Sequence, residues 1–274
     1  MSFASNAAPA ARLHSVSAGD GPLVACLHSS GSSSGQWRQL IASQQATHRF
    51  VAFDFHGHGR SPDFTGDTYE LRCESDAVLH SLPPSRQPIH LVGHSYGGAV
   101  ALDLAVRYPG RFASVTVFEP VLFALLDPGS DAYAEITSVG SAIVRAARAG
   151  NCEVASAAFI DYWNGTGSWR GLVAEQQDRV AARIVPVARH FEALFADPLP
   201  LARLRELRVP TLVLLGDRSP APARAVSRRL GALPFVSVEA LAGVAHMGPV
   251  THPEVVNARI ARHLQEASTL PIAA

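Results

Sequence analysis

The pentapeptide GHSYG, residues 93–97, follows an apolar run and precedes a segment with helical periodicity. Where a strand turns sharply into a helix, the central residue takes a strained backbone conformation, and the residues two before and two after it must be small. Gly93 and Gly97 meet that requirement. The turn would expose the Ser95 hydroxyl at a helix N-terminus, whose backbone N–H groups favour developing negative charge. The pattern therefore predicts a nucleophilic serine.

A serine hydroxyl needs a base to remove its proton, and two histidines late in the chain are candidates. His246 lies in a glycine-containing loop directly after the predicted strand 235–240, so it should emerge at the same sheet edge as Ser95. His252 falls in the first turn of a helix for which Thr251 is the expected cap, so we expect it on the surface. We predict that His246 is the base.

Nucleophilic attack on a carbonyl also requires donors for the oxyanion that forms. One should be the backbone N–H of Tyr96, which follows the serine. The other should come from the loop after the apolar run 22–28, where we predict the backbone N–H of Ser30.

The elements that must position these groups follow from the hydrophobic pattern. Amphipathic segments separate most of the short apolar runs, which indicates strands alternating with helices. Runs that are apolar nearly throughout indicate a mostly parallel sheet covered by helices on both faces, an α/β fold. The runs are residues 22–28, 50–55, 89–94, 114–119, 211–216 and 235–240, and the predicted helices are residues 36–46, 69–82, 98–108 and 221–230.

The alternation stops between about residues 121 and 207, where only helical patterns occur. Roughly eighty residues of helix between two strands suggest a lid over the strand ends. We therefore predict a core formed by residues 1–120 and 208–274 with a helical lid at residues 121–207. Within the lid, Pro186 should break or kink the helical pattern.

Composition narrows the function classes. The chain has 274 residues, 47% of them hydrophobic, and its 23 basic and 23 acidic residues balance. No net charge attracts it to nucleic acid or to an anionic membrane. Three widely spaced cysteines suit reduced thiols, and neither a signal peptide nor a membrane span is visible. We expect a cytoplasmic protein; its oligomeric state stays open.

Four segments together resemble the α/β-hydrolase superfamily, over essentially the whole chain. They are GHSYGG at residues 93–98, LHSSGSSSGQW at 27–37, FDFHGHGRSP at 53–62 and GVAHMGPVTHPEVVN at 243–257. The resemblance implies an α/β-hydrolase fold and a serine hydrolase that needs no metal or cofactor. Ser29 departs from the pattern, because that family usually has glycine at this position of the oxyanion loop.

The acid of the triad is the second departure. In many members it lies three residues after the glycine that ends a late strand, and here that position holds Ser219. A hydroxyl cannot stabilise an imidazolium by charge. The resemblance implies a second placement, the end of the strand after the nucleophile helix, which is Glu119. Asp217 is the alternative, although the sequence GDRSP favours a turn there. We predict Glu119.

A serine nucleophile implies an acyl-enzyme that water resolves, so the expected substrate is an ester with small or medium apolar groups. His94 beside the nucleophile, together with Phe123 and Trp163 of the lid, should line the pocket. Three alternatives stay open on the same residues. They are a carbon–carbon bond hydrolase, a cofactor-free perhydrolase and a non-catalytic small-molecule receptor.

Overall fold

A seven-stranded sheet forms the centre of the computed structural model, which describes residues 12–196 and 199–268. The strand order is β1-β3-β2-β4-β5-β6-β7, and all neighbours are parallel except β1, which pairs antiparallel with β3. The strands are β1 (Ser15–Ala18), β2 (Leu23–Leu27), β3 (Arg49–Phe53), β4 (Ile89–His94), β5 (Phe112–Phe118), β6 (Thr211–Gly216) and β7 (Val236–Leu241). The predicted α/β-hydrolase fold is confirmed.

The six predicted strands are present, and the edge strand β1 is the one that the pattern did not indicate. Its four residues are largely exposed, so it lacks the apolar run that marks the inner strands. Every residue of β2 and of β4 is buried, as expected for strands covered on both faces. The central position of β4 places its carboxyl end, and with it Ser95, in the middle of the sheet edge.

Helices cover the sheet and fill the segment between β5 and β6. Outside that segment the helices are α1 (Arg38–Gln44), α2 (Leu71–Ser81), α3 (Tyr96–Arg107), α10 (Ala221–Leu230), α11 (Gly248–Thr251) and α12 (Pro253–Ser268). Between β5 and β6 they are α4 (Asp131–Arg148), α5 (Cys152–Asn164), α6 (Ser168–Gly171), α7 (Ala174–Ala181), α8 (Ile184–Ala196) and α9 (Leu201–Leu204). Two short 3₁₀ turns, Ser34–Trp37 and Phe123–Leu125, precede α1 and α4.

The helices between β5 and β6 pack on one another as well as on the sheet edge. The apolar face of α4 contributes Ile136, Ile143 and Ala147 to the core, and α4 contacts both α5 and α8. Gly140 permits that close packing, because a Cβ there would lie 2.9 Å from the Phe191 ring. We propose that these helices act together as the lid predicted at residues 121–207.

Two local predictions near helix ends are wrong. Thr251 does not cap the last helix: it ends α11 and donates its hydroxyl hydrogen to the Met247 carbonyl, and α12 begins at Pro253. Proline at the first helical position needs no N–H partner, which explains that start. Pro186 does not break a helix either, because it lies in the first turn of α8, and the interruption precedes it at Ala182 and Arg183.

Across the residues described, no helix combines the length and the apolar character needed to cross a membrane.

Candidate active site

The turn between β4 and α3 holds Ser95 in a strained conformation, with φ 54° and ψ −116°. Side chains on the flanking glycines would collide with the backbone. A Cβ on Gly93 would lie 2.4 Å from the Gly97 carbonyl oxygen, and one on Gly97 would lie 2.3 Å from that of Leu27. The glycines are therefore required by the close approach of the strand, the turn and the neighbouring loop, and Ser95 stands at the start of the helix.

Ser95, His246 and Glu119 form one hydrogen-bonded chain. The distance from His246 Nε2 to Ser95 Oγ is 3.1 Å, and that from His246 Nδ1 to Glu119 Oε2 is 2.7 Å. Ser95 is 6% exposed, His246 2% and Glu119 0%. Because a carboxylate only accepts, Nδ1 carries the proton and donates it to Glu119, which leaves Nε2 free to accept from the serine hydroxyl.

Glu119 follows the last residue of β5 and has a positive φ of 44°. Two donors meet its carboxylate. Oε1 accepts the backbone N–H of Gly216 at 2.7 Å, while Oε2 accepts from His246. A buried carboxylate is costly unless donors or a cation compensate it, and here both oxygens have a partner. The arrangement suits an anion that stabilises a positive imidazolium.

Asp217 lies outside the hydrogen-bonded chain of Ser95, His246 and Glu119. Its side chain is exposed, and Oδ1 accepts the backbone N–H of Gly243 at 2.8 Å, which links the turn after β6 to the loop after β7. Ser219 is buried, and its hydroxyl has no partner among the described residues. The structure thus brings Glu119 to the histidine and leaves Asp217 in a turn.

Contacts on both sides hold the His246 loop. The carbonyl oxygen of His246 accepts the Nε2–H of His94 at 2.8 Å. On the other side, the indole of Trp163 from α5 stacks on the imidazole, with ring centroids 3.9 Å apart. His94 is completely buried behind the loop, so the expectation that it lines the pocket is corrected. Trp163 lines both cavities beside Ser95.

The loop after β2 supplies Ser30, which shares a cavity wall with Ser95. Neither the Ser30 nor the Tyr96 backbone N–H donates to another group within the described ranges, so both remain available to an oxyanion. Ser29 fits where the resemblance led us to expect glycine, because its N–H and its hydroxyl both donate to Gln36 Oε1, at 3.1 and 3.0 Å. The φ of Ser29 is not positive, so its backbone does not need the conformational freedom of glycine.

Two buried histidines hold the loop after β2 in place through hydrogen bonds. His28 Nδ1–H donates to the Ser29 carbonyl at 2.7 Å, and Nε2 accepts the Phe55 N–H at 3.0 Å. His58 Nε2 accepts the Gly31 N–H at 3.1 Å. Each acceptor nitrogen must be unprotonated. Burial, together with the neighbouring His58, lowers the pKa of His28 to about 3, and burial also lowers the pKa of His58. The hydrogen bonds that hold this loop therefore require both imidazoles to be neutral.

Two spaces adjoin Ser95. The inner cavity measures about 10 Å³, room for roughly one water molecule. The outer cleft measures about 160 Å³. The inner cavity is lined by Ser30, Ser95, Val121, Phe123, Phe159, Trp163, His190, Phe191 and Leu194. The outer cleft is lined by Ser29, Ser30, Gly31, Ser32, Ser95, Phe159, Ile160, Trp163, Asn164, His246, Met247 and Val250. Phe123 therefore lies in the pocket wall as expected.

Sequence reasoning missed His190, the polar residue that α8 adds to the inner cavity. Its neighbours Phe191 and Leu194 repeat at helical spacing, so the segment has the pattern of a packing face. The partner that distinguishes His190, the Ser30 hydroxyl, lies 160 positions away in the sequence. No local pattern could have indicated that contact.

Acid should destabilise the fold through its buried histidines. Burial, with smaller effects of the charges on His48 and His263, lowers the pKa of His90 from 6.5 to about 4. Below pH 6.5 His90 is protonated in the unfolded chain but stays neutral in the folded chain. The contribution of His90 to the free energy of unfolding is therefore fully present above pH 6.5 and is lost as the pH falls toward 4. We expect a lower melting temperature at pH 5 than at pH 7.5. His90→Asn, which can keep the bond to Ser114, should reduce that loss by about 1–2 kcal/mol in urea unfolding. An equal loss in variant and parent would contradict the assignment.

Comparison with known proteins identifies the family to which the fold belongs. The model of the alpha/beta hydrolase family matches residues 24–259. The putative carbamate hydrolase RutD of Variovorax paradoxus is 38% identical over 100 residues, which are 36% of this chain and 38% of the relative. The pimeloyl-[acyl-carrier protein] methyl ester esterase of Methylococcus capsulatus is 33% identical over 111 residues, 40% of this chain and 42% of the relative. The matches thus span about two fifths of these curated relatives.

The fold match extends further than the sequence matches. The crystal structure of MGS-M2, an alpha/beta hydrolase enzyme from a Medee basin deep-sea metagenome library, superposes with a TM-score of 0.76 at 15% identity. The superposition covers 92% of this chain and 94% of that one. With the family model matching residues 24–259, the chain belongs to the alpha/beta hydrolase family.

Proposed function

We propose that the protein hydrolyses carboxylic esters through an acyl-enzyme on Ser95. The observation that carries this proposal is the hydrogen-bonded chain Ser95–His246–Glu119, with distances of 3.1 and 2.7 Å, in which Ser95 lines both the inner cavity and the outer cleft. A nucleophile, a base and an orienting anion in this order are what acyl transfer requires.

In the acylation step, Ser95 Oγ attacks the ester carbonyl while His246 Nε2 accepts its proton. Glu119 stabilises the imidazolium that results. The carbonyl oxygen becomes an oxyanion that accepts the backbone N–H groups of Tyr96 and Ser30. The tetrahedral intermediate then collapses: the bond to the alcohol oxygen breaks, and His246 returns the proton to the leaving alcohol.

In the deacylation step, a water molecule takes the place of the alcohol. His246 accepts a proton from that water, and the hydroxide equivalent attacks the acyl carbon. The second tetrahedral intermediate expels Ser95 Oγ, which recovers its proton from the imidazolium. The products are the free acid and the regenerated serine.

The cavities support an ester with a short acyl chain. The inner cavity is small and mostly aromatic and aliphatic, whereas the outer cleft is larger and includes the polar side chains of Ser32 and Asn164. We assign the acyl group to the inner cavity and the alcohol to the outer cleft. The name esterase of one relative and carbamate hydrolase of another are compatible with acyl transfer to water.

A series of p-nitrophenyl esters with increasing acyl length tests this assignment. We expect kcat/KM to be highest for the acetyl or propionyl ester and to fall about tenfold or more by the octanoyl ester, because the inner cavity has no room for a longer chain. Release of nitrophenolate, followed by absorbance, measures the rates. A rise in kcat/KM with chain length would contradict the placement of the acyl group, and no turnover of any ester would contradict the function.

A further inference from the structure

The imidazole of His190 is a buried polar group in the wall of the inner cavity that has no role in the proposed reaction. The side chain is 1% exposed and comes from α8, in the proposed lid. It stacks on the Tyr96 ring at 3.7 Å between centroids and on His58 at 4.9 Å, while Phe55 meets it edge-on. These aromatic contacts hold the ring in one plane next to the nucleophile turn.

One nitrogen of His190 has a partner and the other has none. Nδ1 lies 2.8 Å from the Ser30 hydroxyl, whereas Nε2 is buried without a hydrogen-bond partner among the described residues. A buried polar atom without a partner is costly, so it calls for an explanation. Burial lowers the pKa of His190 well below 6.5, with the neighbouring His58 and His28 adding to that effect. The ring is therefore neutral, with one donor and one acceptor nitrogen.

The location of the ring indicates which kind of group could be the hydrogen-bond partner of Nε2. His190 lines the inner cavity together with Ser95 and Ser30. The hydroxyls of those two serines already have partners, namely His246 for Ser95 and His190 itself for Ser30. The rest of that wall is apolar: Val121, Phe123, Phe159, Trp163, Phe191 and Leu194. Among the buried side-chain polar atoms of the described residues that line this cavity, Nε2 of His190 is thus the one without a hydrogen-bond partner.

We propose that His190 is a specificity-determining residue that binds a hydroxyl or amino substituent on a short acyl group. This inference rests on the proposed function and narrows its substrate class to esters whose acyl part is small and carries such a group close to the carbonyl carbon. Because the Ser30 hydroxyl can donate to Nδ1 or accept from it, Nε2 can be either the donor or the acceptor toward the substituent. An acyl group without a polar substituent leaves Nε2 unpaired in the complex.

Methyl glycolate and methyl propionate test this inference, because a hydroxyl in the first replaces a methyl of nearly the same size in the second. The kcat/KM values for acid release, followed by titration at constant pH, give a preference for glycolate in each variant. His190→Asn can keep a partner for Ser30 but has no group at Nε2, and His190→Gln places an amide near Nε2. His263→Asn is the matched control, since His263 also bonds a hydroxyl, that of Thr116, through Nδ1, but away from the site.

We expect the glycolate preference of the parent protein to fall about tenfold in His190→Asn, to survive largely in His190→Gln and to stay unchanged in His263→Asn. The ratio between variants cancels the intrinsic difference in reactivity between the two esters. An unchanged preference in a folded His190→Asn protein overturns the role of His190 while ester hydrolysis stands.

Binding of two amides covers the remaining outcomes. If the parent protein hydrolyses neither methyl ester, or if His190→Asn does not fold, the kinetic comparison cannot be made; the proposed function itself is decided by the nitrophenyl ester series. In either case glycolamide and propionamide, which differ by the same replacement, are compared by ligand-observed NMR with the parent protein. Stronger binding of glycolamide supports the inference, and equal or weaker binding overturns it.

Discussion

Ser95→Ala is expected to lower kcat for a short-chain ester about 10⁶-fold, to the level of the uncatalysed background plus what the oxyanion donors provide. The hydroxyl is the atom that forms the acyl bond in our proposal, and its oxygen lies 3.1 Å from His246 Nε2. The substitution keeps Cβ, so the strained turn and the glycines around it are undisturbed. A melting curve like that of the parent protein should accompany the loss.

Three further variants make the Ser95 result specific. Ser219→Ala removes another buried serine hydroxyl, one with no partner among the described residues, and should leave turnover within about twofold. His246→Ala should lose about as much activity as Ser95→Ala, and the double variant should lose no more, because the two groups act as a unit. Additive losses, or substantial turnover by Ser95→Ala, would contradict the proposed nucleophile.

Glu119→Gln is expected to lower kcat about 10⁴-fold with little change in KM. Glu119 accepts two N–H groups, from His246 and from the Gly216 backbone. A glutamine has one acceptor oxygen. If that oxygen keeps Gly216, the amide NH₂ faces Nδ1 and stabilises the tautomer in which Nε2 carries the proton and cannot accept one from Ser95. In the opposite orientation the NH₂ faces the Gly216 N–H, and the negative charge is lost in both.

Asp217→Asn is the matched control for the acid. Asp217 is exposed, and an asparagine side chain can keep the acceptor for the Gly243 N–H, so turnover should stay within about twofold. Glu119→Gln and Asp217→Asn both replace one carboxylate oxygen with an NH₂ group, and the two residues follow neighbouring strands. A loss in Asp217→Asn with full activity in Glu119→Gln would show that the acid had been assigned to the wrong strand.

The sequence predicts the nucleophile turn well because its requirement is local and steric. Gly93 and Gly97 must lack side chains, since backbone atoms of the turn and of the adjoining loop occupy that space. The strands were recognisable for a similar reason: β2 and β4 are buried on both faces and therefore apolar at nearly every position. The exposed strand β1 offered no such pattern.

The acid was harder to identify, because Glu119 and Asp217 both follow the carboxyl ends of neighbouring parallel strands. Neither the charge of the side chain nor its position after a strand shows which of the two residues contacts the histidine. The two carboxylates differ in the direction of their side chains. Glu119 points into the fold toward His246 and Gly216, while Asp217 remains exposed in its turn. The placement implied by the family resemblance agrees with this geometry.

The pocket was the least predictable part. His94 is next to Ser95 in the chain, yet it is the last residue of β4 whereas Ser95 stands in the strained turn that follows, and the His94 ring donates to the His246 carbonyl behind the loop. His190 entered no prediction because it belongs to an apolar helical face and because its contacts with Ser30 and Tyr96 depend on how α8 packs over the core. Long-range packing of this kind leaves no local signal.

Labelling with a fluorophosphonate tests the central claim, that the Ser95 hydroxyl is activated by His246, most directly. The reagent reacts with serines that have an active base and an oxyanion site, and mass spectrometry of the digested protein locates the adduct. We expect one adduct, on Ser95, with loss of ester turnover in proportion to labelling and almost no labelling of His246→Ala. An adduct on another residue, or an unlabelled Ser95 in protein that still hydrolyses esters, would contradict that claim.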